Sequence, residues 1–210
     1  KPNILVLIAD DASLDFGCYG NNGIKTPNID ALAAGGLRIG KAFLTGSQCS
    51  PSRTAMITGQ FAHTIGTEKL GSKIGPSTKT IPGYLREQGY FTGLMLKNHM
   101  GGNGNQRFDW YGRGFGFYRE DPEAWDRSVA DEFSTFLDRA DEKPFFMWLG
   151  FVDPHRPYNE HHAIEKVNDP KDVTVPPHLV DDGATRRNLA DYYDEISRVD
   201  GHAGEIVALL

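Results

Sequence analysis

No stretch of this chain is apolar for long enough to cross a membrane as a helix. The longest uninterrupted apolar run, Ile4 to Ala9, is the length of a strand. Cysteine is nearly missing: Cys18 and Cys49 are the only two in 210 residues, so a small disulfide-stapled fold is excluded. Basic residues are in the minority, 22 Lys and Arg against 28 Asp and Glu, for a formal net charge of -6. That balance argues against general nucleic-acid binding, while leaving room for a local basic pocket that takes an anion. Low-complexity tracts are missing too. With 39% hydrophobic and 24% charged residues, the composition is that of a globular domain with a real core. The chain starts at Lys1 rather than Met and enters strand-like sequence almost at once, which reads as a processed chain and as an exported protein (periplasmic, extracellular or lysosomal).

Read in order, strand-like and helix-like segments alternate. Asn3 to Ala9 (NILVLIA) has the continuous apolar pattern of a parallel strand covered on both faces. Thr26 to Ala33 reads as a capped helix stopped by Gly35 and Gly36, and Leu37 to Phe43 as a second strand. Thr80 to Gly89 is another capped helix, followed by a strand over Tyr90 to Leu96. The segment Gly102 to Asp121, rich in Gly, Asn, Arg and aromatics, reads as an irregular surface excursion. Trp125, Val129, Phe133, Phe136 and Leu137 recur at helical spacing and form a core stripe. Pro144 to Val152 (PFFMWLGFV) is a strongly apolar strand, and Ala184 to Leu210 a long amphipathic helix. This rhythm predicts an α/β fold, a mostly parallel sheet with helices on both faces.

Polar clusters stand directly after the buried strands, where the active groups of open α/β sheets gather. Asp10 and Asp11 follow the first strand; two adjacent carboxylates there repel each other and call for a cation, for which oxygen ligands suit a hard divalent ion. Lys97 and His99 follow the strand over Tyr90 to Leu96, and His155 sits in Asp153-Pro154-His155-Arg156 after the last strand. His63, His161, His162, His178 and His202 lack such a placement and receive no role. The remaining cluster is Gly46 to Gly59, GSQCSPSRTAMITG. Pro51 suits the first position of a helix, which puts Cys49 at a helix N-terminus where free N–H groups favour an anion. Arg53 adds a permanently charged fork on the first turn. A Cys before a capped helix is by itself an ordinary buried thiol; the full Cys-x-Pro-Ser-Arg spacing, with Thr58-Gly59 beyond it, is a site for sulfuryl or phosphoryl chemistry.

That pattern resembles the signature of the type I sulfatases, of alkaline-phosphatase-like fold. The resemblance extends to Asp10-Asp11 as paired metal-binding aspartates, Arg53 as the arginine beside the nucleophile, Lys97-x-His99-x-Gly101, and His155 in Asp-Pro-His. Leu96 departs from the pattern, standing where the family element begins with Gly. Within the family, Cys-Ser-Pro-Ser-Arg, Asp-Pro-His-Arg and the Asp-Val-x-Val-Pro loop are most similar to the sulfamidase branch, which acts on N-sulfoglucosamine. Sulfatases are commonly about twice this length, with further metal ligands in their second half, so the resemblance implies that residues 1–210 are the N-terminal part of a catalytic domain whose metal site is incomplete.

The resemblance implies a mechanism as well. A formylglycine-generating enzyme oxidises Cys49 to an aldehyde, which hydrates and attacks sulfur; this requires Cys49 to be a free thiol beforehand and leaves Cys18 as a small hydrophobe. Calcium, with magnesium as an alternative, is held by Asp10, Asp11 and residue 49, while Lys97, His99 and His155 bind sulfate oxygens or protonate the leaving group. The implied substrate is a sulfated saccharide or an aryl sulfate. Two other readings stand beside it: a phosphonate or phosphate monoester hydrolase on the same scaffold, and a degenerate protein that binds sulfated glycan without cleaving it.

Overall fold

The structure is a computed structural model and describes residues 1–101, 107–114, 122–158 and 167–210. The described residues form strands β1 (Ile4–Ile8), β2 (Phe91–Leu96), β3 (Trp110–Gly114) and β4 (Phe145–Gly150). The helices are α1 (Pro27–Gly35), α2 (Cys49–Thr58), α3 (Ile81–Glu87), α4 (Pro122–Ala140) and α5 (Gly183–Ala208). The chain divides into two compact units. The first comprises Lys1–Ile8, Lys41–Tyr118 and Asp131–Gly150, the second Ala9–Gly40, Arg119–Ala130 and Phe151–Leu210.

The first unit is built on a sheet of order β1-β4-β2-β3 in which every pairing is parallel, as the sequence pattern predicts. β4 is flanked on both edges and buried along its whole length, which is why FFMWLG carries no alternation. Its register sets Ile8, Gly150 and Leu96 side by side, so three strands end at one level. One face carries Ile4, Val6, Phe146, Trp148 and Leu94, packed with Ile57 of α2 and Leu85 of α3. The other face receives α4: Phe136 stacks on Phe91 at 5.4 Å and meets Phe145 edge-on at 5.4 Å. Gly93 makes that seat, because a Cβ there would stand 2.5 Å from the Phe136 ring. Helices thus cover both faces of the sheet.

Two segments differ from the sequence reading. Leu37 to Phe43 forms no strand: it has no ladder partner among the described residues, and Leu37 and Phe43 are 89% and 90% exposed. Strand propensity measures how well side chains fit a pleated, half-buried surface, so without a neighbouring strand the segment stays irregular. Conversely, β3 lies inside the segment read as an irregular excursion. Its two glycines obscure the pattern, and Gly112 has a packing reason: a Cβ there would press on the Trp110 ring at 2.7 Å. Residues 102–106 and 115–121 of that excursion, and His161 and His162, lie outside the described residues.

In the second unit, Ile24, Val173, Ala190, Tyr192, Tyr193 and Ile196 form a core against α5. Asp182 caps α5, accepting from the N–H groups of Ala184 at 3.0 Å and Thr185 at 2.8 Å. Thr26 stands at the N-cap of α1 but makes no cap bond; its hydroxyl instead accepts from Gly17 N–H at 2.9 Å and donates to Asp30 at 3.0 Å. The capping is done from a distance. Asp200 of α5 accepts from Ile29 N–H at 2.8 Å and from the Asn28 N–H and side-chain amide at 3.3 and 2.9 Å.

Candidate active site

In the first unit the site is organised by α2. Gln48 is its N-cap, and the first helical bond runs from Ser52 N–H to Gln48 O at 3.0 Å. Cys49 is therefore the first helical residue, half-buried, at the end where N–H groups have no intrahelical acceptor. Pro51 is the third helical residue rather than the first; it still fits, since an N–H at that position would also lack an acceptor in the helix. The far end of the motif is punctuation. Gly59 closes α2 in the left-handed conformation, φ 68°, with its N–H on Ala55 O at 2.8 Å.

Arg53 lies one turn beyond Cys49 on the same side of α2. It is 2% exposed, and its Nη1 donates to the carbonyl oxygen of Lys97 at 2.9 Å. Lys97 is fully buried at the end of β2, its own N–H on Gly150 O at 2.7 Å. Arg53, a desolvated cation on the first turn of α2, forms with the helix N-terminus a setting for an anion. The chain then turns through left-handed residues: Leu96 at φ 69°, His99 at φ 45° and Gly101 at φ 77°. Gly101 is required there, since a Cβ would lie 2.6 Å from the Lys73 Cα. Leu96 holds, as a branched residue, a conformation that glycine adopts without penalty.

The second unit carries the carboxylates. Asp10 is 5% exposed, and its N–H donates to Asp153 O at 2.9 Å, tying the segment after β1 to the segment after β4. Asp11 is exposed, with φ 62°. A carboxylate oxygen of Asp10 and a ring nitrogen of His155 lie within 4.8 Å, and His155 Nε2 is 3.9 Å from Asp11 Oδ2. His155 Nδ1 is 2.6 Å from the carbonyl oxygen of Arg156. A carbonyl only accepts, so Nδ1 carries the hydrogen and Nε2 is the nitrogen presented to the carboxylates. Two carboxylates and an imidazole nitrogen suit a divalent cation, and the oxygen donors favour calcium or magnesium.

Cys49, Arg53, Lys97 and His99 thus belong to the first unit, where Arg53 and Lys97 meet; Asp10, Asp11 and His155 belong to the second and are brought together there. Sequence reasoning missed two side chains that hold the second set. Arg198 forms a two-point ion pair with Asp153, Nε to Oδ2 at 2.8 Å and Nη2 to Oδ1 at 2.6 Å, and reaches Glu195 at 3.2 Å. On a helix, charges three residues apart read as a solvated face; the sequence signal for Arg198 is absent, and for Asp153 it is only the Asp-Pro-His context.

The Sulfatase family profile matches residues 2–210. Human N-sulphoglucosamine sulphohydrolase is 30% identical over 98% of this chain and 46% of its own length. The N-acetylglucosamine-6-O-sulfatase of Bacteroides thetaiotaomicron is 30% identical over 74% of this chain and 31% of its own. Among solved structures, the phosphonate monoester hydrolase of Agrobacterium radiobacter shares the fold, with a TM-score of 0.78 at 18% identity over 99% of this chain and 59% of that one. The chain spans less than half the length of these two curated relatives.

Proposed function

The chain belongs to the sulfatase family, and from that premise we propose that it hydrolyses the sulfate ester or sulfamate of a sulfated glycan, with residue 49 as nucleophile. The observation that carries this reading is the place of Cys49: first residue of α2, one helical turn from an Arg53 that is buried against Lys97. Oxidised to formylglycine by a maturation enzyme and hydrated, residue 49 supplies the attacking hydroxyl. Arg53 and Lys97 balance charge on the sulfate oxygens, and their burial strengthens that interaction relative to water.

Asp10 and Asp11 are the residues that would hold calcium, which supplies Lewis acidity at the sulfate. His99 and His155 share the tasks of contacting sulfate and delivering a proton to the departing oxygen or nitrogen. With its Nδ1–H engaged by Arg156 O, His155 acts through Nε2. A sulfamate leaves as an amine and needs that proton as the N–S bond breaks, so N-sulfoglucosamine is the first substrate to try. The sequence likeness to the human sulphohydrolase supports the same choice. Residence outside the cytoplasm is part of the proposal.

The test combines peptide mass spectrometry of residue 49 with turnover of N-sulfoglucosamine, its 6-O-sulfated isomer, and paired aryl sulfate and aryl phosphate esters by the full chain. Formylglycine at position 49, with loss of sulfatase turnover in Cys49→Ala, is the expected result. An active protein carrying only the unmodified thiol overturns the mechanism. A clear preference for the O-sulfate rejects the sulfamidase assignment, and a preference for the phosphate ester rejects the sulfatase assignment itself.

A further inference from the structure

Helix α5 touches the proposed metal-binding turn by two separate routes. By the first, Arg198 grips Asp153 through both carboxylate oxygens, with Glu195 as a second acid; the three side chains are 8%, 3% and 0% exposed. Asp153 passes that hold to Asp10 through its carbonyl, 2.9 Å from Asp10 N–H, and stands two residues before His155. By the second, the Tyr192 hydroxyl accepts from Ser13 N–H at 3.2 Å and lies 3.3 Å from Asp15 Oδ2 and 3.5 Å from Asp11 O. Between the two anchor points lies Asp11 at φ 62°, in the left-handed region that Asp enters more readily than most non-glycine residues. Burying a charged triad carries a desolvation cost that an apolar cluster of the same volume avoids. Stability is therefore a weak reason for the triad, and position a better one.

We infer that Arg198 and Tyr192 are positioning residues for the metal-binding carboxylates, fixing the Asp10–Asp11 turn through Asp153 and Ser13 in the conformation that takes calcium. The inference rests on the proposed role of Asp10 and Asp11 as calcium ligands. Residues that orient metal ligands without touching the metal change its affinity by about 10- to 100-fold when altered.

The experiment is a calorimetric titration of calcium chloride into the metal-stripped full chain, for wild type, Tyr192→Phe, Arg198→Lys and Asp10→Asn, with thermal unfolding of each recorded without calcium. Tyr192→Phe removes only a hydroxyl, and Arg198→Lys keeps the charge while losing the fork. Both are expected to bind calcium about tenfold more weakly or worse, with Tyr192→Phe unfolding near the wild-type temperature. A purely structural role would lower the unfolding temperature and leave the folded protein's affinity unchanged. Wild-type affinity in Tyr192→Phe and Arg198→Lys, with binding abolished in Asp10→Asn, overturns the inference and leaves the calcium site standing. Wild-type affinity in Asp10→Asn as well removes the calcium site and the inference together. If Arg198→Lys does not fold, Tyr192→Phe decides alone.

Discussion

Arg53 Nη1 donates to the carbonyl oxygen of Lys97 across 2.9 Å, joining the helix that begins with Cys49 to the strand end that leads to His99. The guanidinium is therefore fixed by the backbone of a neighbouring strand before any substrate arrives. Gly150 makes this possible: a Cβ on it would stand 2.5 Å from Nη1 and press on the Lys97 carbonyl.

Gly150→Ala is expected to lower stability by about 1–3 kcal/mol, the range for overpacking a filled site, and to lower turnover by displacing Arg53. Urea midpoints and sulfate-release rates together check it. An alanine variant equal to wild type in both would show that the strand end yields easily.

Leu96 is 3% exposed and holds φ 69°. Leu96→Ala loses the buried side chain at a cost of about 2–5 kcal/mol, while the alanine still strains in the left-handed region. Leu96→Gly loses the same contacts but relieves a conformational cost of about 1–2 kcal/mol, partly offset by the greater freedom of glycine when unfolded. The glycine variant is thus expected to be the more stable of the two, reversing the usual order for a strand. Chemical denaturation of both variants checks the sign.

Asp200→Ala removes the acceptor for the first N–H groups of α1. Loss of a cap costs about 0.5–2 kcal/mol, and Asp200→Asn, which keeps a carbonyl acceptor, is expected to lose less. Equal unfolding temperatures for Asp200→Ala and wild type would show that the N-terminus of α1 finds other partners.

Burial pushes the Glu132 carboxyl above its ordinary 4.5, against the opposing pull of the Arg113 N–H at 2.7 Å and the Arg113 guanidinium at 4.0 Å. The folded state then holds the Glu132 proton more tightly than the unfolded one. Its favourable contribution is complete below the unfolded value and is lost as pH rises through the folded value. Glu132→Gln is therefore expected to match wild type best in acid and to gain on it toward neutral pH. Stability curves for both proteins across that range test this, and a gap that narrows with rising pH contradicts it.

β4 was legible because burial along its whole length leaves a continuous apolar run, whereas β1, equally apolar in sequence and expected to be covered on both faces, is only half-buried at every residue. The Cys49 motif was legible because its spacing fits one helix, cap to cap, from Gln48 to Gly59. Leu37 to Phe43 misled because local propensity contains no information about whether a partner strand lies alongside. The roles of Arg198, Asp200 and Tyr192 were hidden for a related reason. Arg198 meets Asp153 across 45 residues, and Asp200 meets Ile29 across 171. A helix pattern reports which face is apolar, and it does not report which charge on the other face will be buried by a distant segment. Thr26 shows the same limit at short range, since the residue type of a cap was present while the cap bond was made by another side chain.

The pairing of Ile4 with Phe146 sets an order of events at the ribosome. Among the described residues β1 has one ladder partner, and it is made about 140 residues later. At ordinary synthesis speeds the strand ILVLI waits on the order of ten seconds for β4 to emerge. During that interval its bare edge is open to pairing with other chains, a longer exposure than neighbouring strands would need if they were paired in sequence order.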